Sequence, residues 1–396
     1  MRAAKPDGRR VTIAGGGIAA LEATLALRHL AGEIAIELLA PGTDAAYRPL
    51  AVLEPFALGE MPELDVGRFA SEQRASLRRD TLVAVDPSER VIVSGRGERL
   101  PYDLLIVAAG ARAVEAVPGA LTFRGHEDQR RLGLLLEEYV ERKLRRLVFA
   151  VPEGEAWTLP AYELALLAHA SLVGRAVTGI ALRVVTAEPE PLSMFGERAS
   201  RAVAELLDQA GIGVTTGARP ERLERGVLRV HGAEDVPADR VVALPRLLGP
   251  RFRGLPSDER GFIPTDDRGL VAGLEDVYAA GDATSFPIKQ GGIAAQQADA
   301  VAEAIAARLG AELDPQPFRP VLRGLLMTGR NTRYLESDAG GHPGARPALW
   351  SPQSKIFGRY LLPYLGGHEP SDEGLFEAPP AGGVAVEMDL PLTGRE

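Results

Sequence analysis

The 396-residue chain contains no cysteine. That absence excludes disulfides, thiolate-bound zinc, iron–sulfur clusters, covalent haem and every thiol nucleophile or relay. It leaves the compartment open, because a cysteine-free chain folds in reducing and oxidising surroundings alike. No run approaches the ~18 uninterrupted apolar residues that a spanning helix needs. The 45 basic residues are outnumbered by 54 acidic ones, for a net charge of −9. With no basic stripe, nucleic acid is not an expected partner. The six histidines (His29, His126, His169, His231, His342, His368) show no His-x-x-x-His or paired-carboxylate spacing, so no metal site is expected. No Gly-x-Ser-x-Gly elbow supports a serine hydrolase.

What is present is alternation. Apolar strands at Val11–Ala14, Ile34–Leu39 and Leu104–Ala108 interleave with a helical pattern near Ile18–Leu30. A second series follows, with strands at Leu147–Val151 and Leu182–Thr186 and helices at Tyr162–Ala170 and Arg198–Ala210. Recurrent βαβ alternation predicts an α/β fold with two parallel-sheet units. The charged-then-apolar start imitates a signal peptide, but Gly15, Gly16, Gly17 and Glu22 interrupt it, and it reads as part of the mature chain. Beyond about Glu312 the pattern changes to loops, one aromatic helix and an acidic, Pro-containing tail.

Val11-Thr12-Ile13-Ala14-Gly15-Gly16-Gly17-Ile18-Ala19-Ala20 is a strand, a glycine turn and a helix start. It fits GxGxxA: Gly15 permits the turn, Gly17 lets a pyrophosphate approach the backbone, and Ala20 keeps helix and strand close. The helix N-terminus then favours the phosphate charge. The acid expected on the ribose is less defined. Glu37 lies 22 residues after Gly15, yet the strand runs on to Ala40, and Glu37 reads equally as a strand-surface residue.

Two later segments add to this. Leu105-Ile106-Val107-Ala108-Ala109-Gly110-Ala111 is a mid-chain strand, and Val277-Tyr278-Ala279-Ala280-Gly281-Asp282 is a late strand ending in Gly-Asp. Lys289-Gln290-Gly291-Gly292 leads into a helix from about Ile293 to Leu309. With these three motifs in order, residues 10 to about 312 resemble the two-dinucleotide-binding-domain FAD flavoproteins of the pyridine nucleotide-disulfide oxidoreductase superfamily. Tyr47-Arg48-Pro49-Leu50 and the Lys289–Gly292 loop place the resemblance nearest the sulfide:quinone oxidoreductases. The flavin subunit of flavocytochrome c sulfide dehydrogenase shares that branch, and type II NADH dehydrogenases are relatives.

The resemblance implies two Rossmann-like domains. An FAD-binding domain would span 1–115 and 245–312, an inserted NAD(P)-binding-like domain 116–244, and a C-terminal region 313–396. It also implies site roles. Gly15 and Gly17 would face the FAD pyrophosphate, with Ala20, Ala40, Arg48 and Pro49 bordering the cofactor. Ala109 and Gly110 would pass beside the dinucleotide, with Ala109 where the family often has Thr. Gly281 and Asp282 would meet a ribityl or phosphate-side hydroxyl. Lys289, Gln290 and the helix starting at Ile293 would lie at the flavin's pyrimidine edge, where an ammonium and a helix dipole stabilise negative charge. Lys289 is one of only four lysines, so its place in this loop is not background, although a solvated loop lysine is the plain alternative.

NADH-using relatives open the inserted domain with a second glycine fingerprint. Here that turn is Pro152–Glu163, and Ala156, Thr158 and Ala161 stand where the three glycines would be. Thr158 puts a side chain at the closest approach, and Glu153 and Glu155 add negative charge where a pyrophosphate needs positive potential. The domain is expected to keep its fold and bind NAD(P) poorly. Glu163 resembles a family glutamate close to the flavin and is a candidate proton shuttle, evenly weighed against a helix-surface carboxylate. Trp157 and Tyr162 read as packing residues.

Near the C-terminus, Ile356, Phe357, Tyr360, Leu361 and Tyr364 recur at helical spacing between Trp350 and Gly366. Quinone-reducing relatives carry a membrane-interface segment at this place. A dimer contact or cover for the flavin domain is the stronger expectation, and Gly358 and Pro363 weaken any helix.

The expectation is an FAD-dependent oxidoreductase, cytoplasmic or peripheral on a membrane, passing electrons directly between small-molecule donor and acceptor without a thiol relay. Quinone is the acceptor that the resemblance suggests. An NAD(P)H:quinone or other NAD(P)H:acceptor oxidoreductase, and a flavin-binding sensor without turnover, stay open.

Overall fold

The computed structural model describes residues 9–46, 50–58, 63–141, 144–154, 157–329, 332–335 and 358–366. In chain order the elements that matter are β1 (Arg10–Ala14), α1 (Ile18–Ala31), β2 (Ala35–Ala40), α2 (Val66–Glu72), β3 (Ser76–Arg79) and β4 (Leu104–Val107). Then follow β5 (Leu121–Thr122), α3 (Gln129–Val140), β6 (Arg146–Val151), α4 (Leu159–Gly174), β7 (Ala181–Thr186), α5 (Glu197–Gln209), β8 (Gly213–Thr215) and β9 (Arg240–Ala243). The chain continues through β10 (Val277–Ala279), α6 (Gly291–Arg308), β11 (Gly324–Met327), β12 (Thr332–Leu335) and α7 (Leu361–Gly366).

Two five-stranded parallel sheets result, ordered β10-β4-β1-β2-β3 and β5-β9-β6-β7-β8. Both sheets are covered on both faces, which is why their strands read as continuous apolar runs. In the first, Val11, Ile13, Ile36, Leu38, Leu104 and Ile106 face α1 and α6. The alternate residues Ala14, Leu39, Leu105, Val107 and Val277 face a three-stranded antiparallel sheet (Leu82–Asp86, Val91–Ser94, Arg99–Pro101). Buried alanines at 19, 20, 23 and 26 of α1 and 294, 298 and 302 of α6 let those two helices approach closely.

The second unit repeats the plan. Leu147, Phe149, Val151, Leu182 and Val184 pack under the helices. Val148, Ala150, Val185, Val241 and Ala243 pack on a second antiparallel sheet (Arg219–Glu224, Val227–His231, Val236–Pro237). The α/β class and the paired βαβ units are as the alternation predicts. Each parallel strand order reverses beside a central strand, β1 in one sheet and β6 in the other, and such reversals open crevices at the carboxyl ends of the strands.

Residues after 312 depart from the expected loops: β11 and β12 form an antiparallel hairpin. Its first strand, Gly-Leu-Leu-Met, is too short and uniformly apolar to separate from loop by periodicity. Among the described residues the helix of the aromatic segment covers Leu361–Gly366, and Tyr360 and Leu361 are buried against the first unit. The Tyr364 ring meets Phe69 edge-on at 5.4 Å. The segment is cover for the first unit over residues 358–366, while Ile356 and Phe357 lie outside the described residues.

Candidate functional site

At the carboxyl edge of the first sheet, the turn after β1 is fixed by its neighbours. Gly15 has φ +151°, and its N–H donates to Leu39 O at 2.9 Å. A Cβ on Gly15 would stand 2.1 Å from the Ala108 carbonyl oxygen, so only glycine fits. Gly16 passes over β2 so closely that its Cβ would lie 3.0 Å from Ala40 Cβ. This is a steric reason for a small residue at 40, where an acid is expected. Gly17 differs: a Cβ there would meet nothing within 4 Å. It caps α1 without a side-chain hydrogen bond, and the first turn carries no acid. Open space beside the positive end of a helix is what an approaching pyrophosphate requires. Ala20 is buried between α1 and the sheet.

The neighbouring strand ends complete the edge. After β4, Ala109 is exposed and Gly110 has φ +70° with open space at its Cβ position. After β10, Gly281 (φ +76°) lies against both helix starts, since its Cβ would be 3.0 Å from Ala19 Cβ and 3.4 Å from Ala294 Cβ. That wedge carries half-buried Asp282 to the start of α1. The Gly15–Gly17 turn, Ala40, Ala109–Gly110 and Gly281–Asp282 therefore share one edge, and their shape fits a dinucleotide. Arg48 and Pro49 lie outside the described residues.

Glu37 is not part of this edge. It sits mid-strand, bonded to Arg78 Nε at 3.1 Å and 3.6 Å from Arg10 Nη1. In this structure the Glu37 carboxylate is engaged by these two arginines.

Lys289 is buried, so the solvated-lysine alternative is corrected. Its ammonium donates to Thr284 O and stands 3.8 Å from the centroid of the Phe262 ring. Gln290 caps α6: its Oε1 accepts from Ile293 N at 2.9 Å, and its Nε2 donates to Arg323 O at 3.2 Å. The helix therefore begins at Gly291, two residues before the expected start, and the Ile293 amide is already bonded. Gln297, which the sequence reading did not single out, holds the Asp282 turn. Its Oε1 accepts from Gly281 N at 2.7 Å, and its amide bonds the Thr284 hydroxyl. A glutamine in an alanine-rich helix two turns after the Lys-Gln-Gly-Gly loop was the available signal.

Glu163 is 1% exposed, which removes the helix-surface reading. Its Oε1 accepts the Met327 N–H at 2.9 Å, tying the C-terminal hairpin to α4. Tyr162 is fully buried, and Trp157 stacks edge-on against Phe195 at 5.6 Å, both as packing predicts.

At the carboxyl edge of the second sheet three hydroxyls converge on one carboxyl group. Glu188, two residues past the end of β7, accepts hydrogen bonds from Thr158 Oγ1 at 3.0 Å, Tyr162 Oη at 2.6 Å and Thr186 Oγ1 at 3.0 Å. Burial raises the Glu188 pKa, and the three hydroxyl donors oppose that rise. Thr158, at the place of the second fingerprint glycine, thus uses its hydroxyl to hold a carboxylate. Glu153 pairs with Arg219 at 2.9 Å. The sequence reading missed Glu188, although an acid just beyond the second strand of a βαβ unit was the signal to follow.

The sequence profile of the pyridine nucleotide-disulphide oxidoreductase family matches residues 9–304. The chain is 27% identical over 308 residues to the ferredoxin–NAD(+) reductase component of the biphenyl dioxygenase system of Paraburkholderia xenovorans, covering 71% of this chain and 69% of that one. It is 28% identical over 336 residues to the ferredoxin reductase component of chlorobenzene dioxygenase from Cupriavidus sp., with 76% and 75% covered. The fold is similar to the crystal structure of sulfide:quinone oxidoreductase from Aquifex aeolicus, with TM-score 0.75, 19% identity, and 82% and 83% of the two chains covered. Two parallel-sheet units, a glycine edge shaped for a dinucleotide and this match across three quarters of the sequence lead to one assignment: the chain belongs to the pyridine nucleotide-disulphide oxidoreductase family and is an FAD-dependent oxidoreductase, without the cysteines that the family name implies.

Proposed function

We propose that the protein moves electrons between a small donor and a small acceptor without a thiol relay and without NAD(P)H, with a quinone as the favoured acceptor. The observation that carries this reading is the Glu188 cluster. A nicotinamide dinucleotide entering the second crevice would bring its pyrophosphate toward a half-buried carboxyl group held by Thr158, Tyr162 and Thr186. An anion is stabilised at such a strand–helix turn by backbone N–H groups and open space, and here an acid and a threonine side chain stand instead.

In the first unit, the turn at Gly15–Gly17 and the start of α1 would hold the FAD phosphates, and Asp282 would accept from its hydroxyls. Bound FAD supplies the one- and two-electron redox chemistry. Lys289 and Gln290 fix the loop at the start of α6, and the buried carboxyl of Glu163 could hold a proton where α4 meets the hairpin. Zero cysteines leave no thiol or disulfide to carry electrons to the cofactor.

Quinone rests on the likeness to sulfide:quinone oxidoreductase. A second reading, an NAD(P)H-dependent reductase, is favoured by the relative named a ferredoxin–NAD(+) reductase component. Anaerobic addition of a quinol, sulfide, NADH and NADPH to the yellow holoprotein separates them. Bleaching by quinol, reversed by quinone, supports the proposal; no bleaching by quinol, or fast bleaching by micromolar nicotinamide, overturns it.

A further inference from the structure

Away from both crevices, two acids face each other across the α1–α6 helix pair. Glu22 of α1 is fully buried. The Asp299 carboxyl of α6 lies within hydrogen-bonding reach of it, and Asp299 Oδ1 is sealed from solvent with no partner among the described residues. Both oxygens of Glu22 are used on the C-terminal segment: Oε1 accepts from Tyr360 N at 2.7 Å and Oε2 from Leu361 N at 2.8 Å. Gly358 runs so close that a Cβ there would be 2.3 Å from Glu22 Oε2.

A carboxylate that accepts two amide hydrogens is best ionised, whereas a second ionised carboxylate beside it in a dry site is strongly disfavoured. The arrangement is satisfied when one proton lies between the two acids. We propose that Glu22 and Asp299 share that proton and form a pH-sensitive latch holding residues 358–366 against the first dinucleotide-binding unit. This inference does not depend on the donor or acceptor.

The other titratable groups around the pair are few. Arg359 favours an ionised Asp299 and stands 3.6 Å from Glu303, which opposes it. The Tyr360 hydroxyl is buried and unpartnered among the described residues, and its ring lies 5.3 Å from that of His29. On the α2 side, Tyr364 bonds Glu72, which also pairs with Arg68 at 2.7 Å. None of these puts a second cation between Glu22 and Asp299.

Burial raises Glu22 to about 7 and Asp299 well above the ordinary range. A carboxyl with a raised pKa binds more protons docked than undocked. Between the ordinary carboxylate range and the raised value the docked pair therefore keeps one proton that the undocked pair has released, and docking weakens as pH rises through that window.

Hydrogen–deuterium exchange of the holoprotein reads the latch directly at the Tyr360 and Leu361 amides, with β1 as the internal control. After correction for intrinsic exchange, protection should fall between about pH 4.5 and about 7, by up to about tenfold per pH unit for one proton. Asp299→Asn, which cannot ionise, should stay docked and lose that slope. Glu22→Gln, with one carbonyl for two amides, should expose the segment at every pH. Protection that is flat with pH in the wild type, or an unchanged slope in D299N, overturns the proposal. The wild-type profile decides alone if D299N does not fold.

Discussion

Replacing Tyr162 by phenylalanine removes a single oxygen from the packed interior of the second unit. The ring is fully buried, and its hydroxyl is the shortest of the three donors on Glu188, at 2.6 Å. The two remaining donors, Thr158 and Thr186, are at 3.0 Å. A hydrogen bond to an ionised group contributes about 1.5–3 kcal/mol and one between neutral groups about 0.5–1.5 kcal/mol. Which range applies depends on Glu188, whose pKa is raised by burial. The stability tied to that raised pKa is fully present below the ordinary carboxylate range and is lost as pH rises through the folded value. Removing the tyrosine donor raises the carboxyl further, so the deficit of Tyr162→Phe should grow with pH. At about 2–4 °C per kcal/mol for a unit of this size, melting should fall by about 1–6 °C in acid and about 3–12 °C in base. Circular dichroism melts at about pH 5 and about pH 8 read both values. An unchanged melting temperature, or a larger deficit in acid than in base, refutes the assignment of Tyr162 as a donor to an ionisable Glu188.

Gly15→Ala should cost both folding yield and FAD content, because its Cβ would overlap the Ala108 carbonyl at 2.1 Å. Gly17→Ala, with open space at its Cβ, should fold normally and lose flavin, as read by absorbance per chain against circular dichroism. Glu163→Ala leaves the half-buried Met327 amide without this acceptor, a loss of about 1–3 kcal/mol in urea unfolding, whereas Glu163→Gln keeps an acceptor and should lie within about 1 kcal/mol of wild type. Lys289→Met removes the donor to Thr284 O and the cation over Phe262, and should lower stability by about 2–4 kcal/mol with partial loss of flavin on dialysis. A wild-type melting curve for K289M would show that the lysine does not hold the loop.

The legible parts of this protein were those with local periodicity or fixed chain spacing. The glycine turn, the strand preceding Ala109-Gly110 and the strand ending in Gly281-Asp282 follow from residues adjacent in sequence, and the structure places them on one edge. Thr158 was singled out from its place in the second turn, and the structure gives its hydroxyl to Glu188. What the sequence hid depends on contacts across the fold. Glu188 joins Thr158 across 30 residues, and Glu22 meets Leu361 across 339. Glu22 looks like an interruption in an apolar run until the C-terminal segment is folded onto it. Lys289 was recognised by its rarity, yet its burial over Phe262 has no local sign. The two three-stranded antiparallel sheets escaped notice because strands of two to six residues show little alternation.

The central claim is that the second crevice does not serve NAD(P)H. It is tested most directly by anaerobic stopped-flow mixing of the oxidised holoprotein with NADH and with NADPH, following flavin absorbance. The account predicts no fast bleaching at micromolar nicotinamide for either cofactor. Fast, saturable bleaching by NADH or NADPH in that range would contradict it.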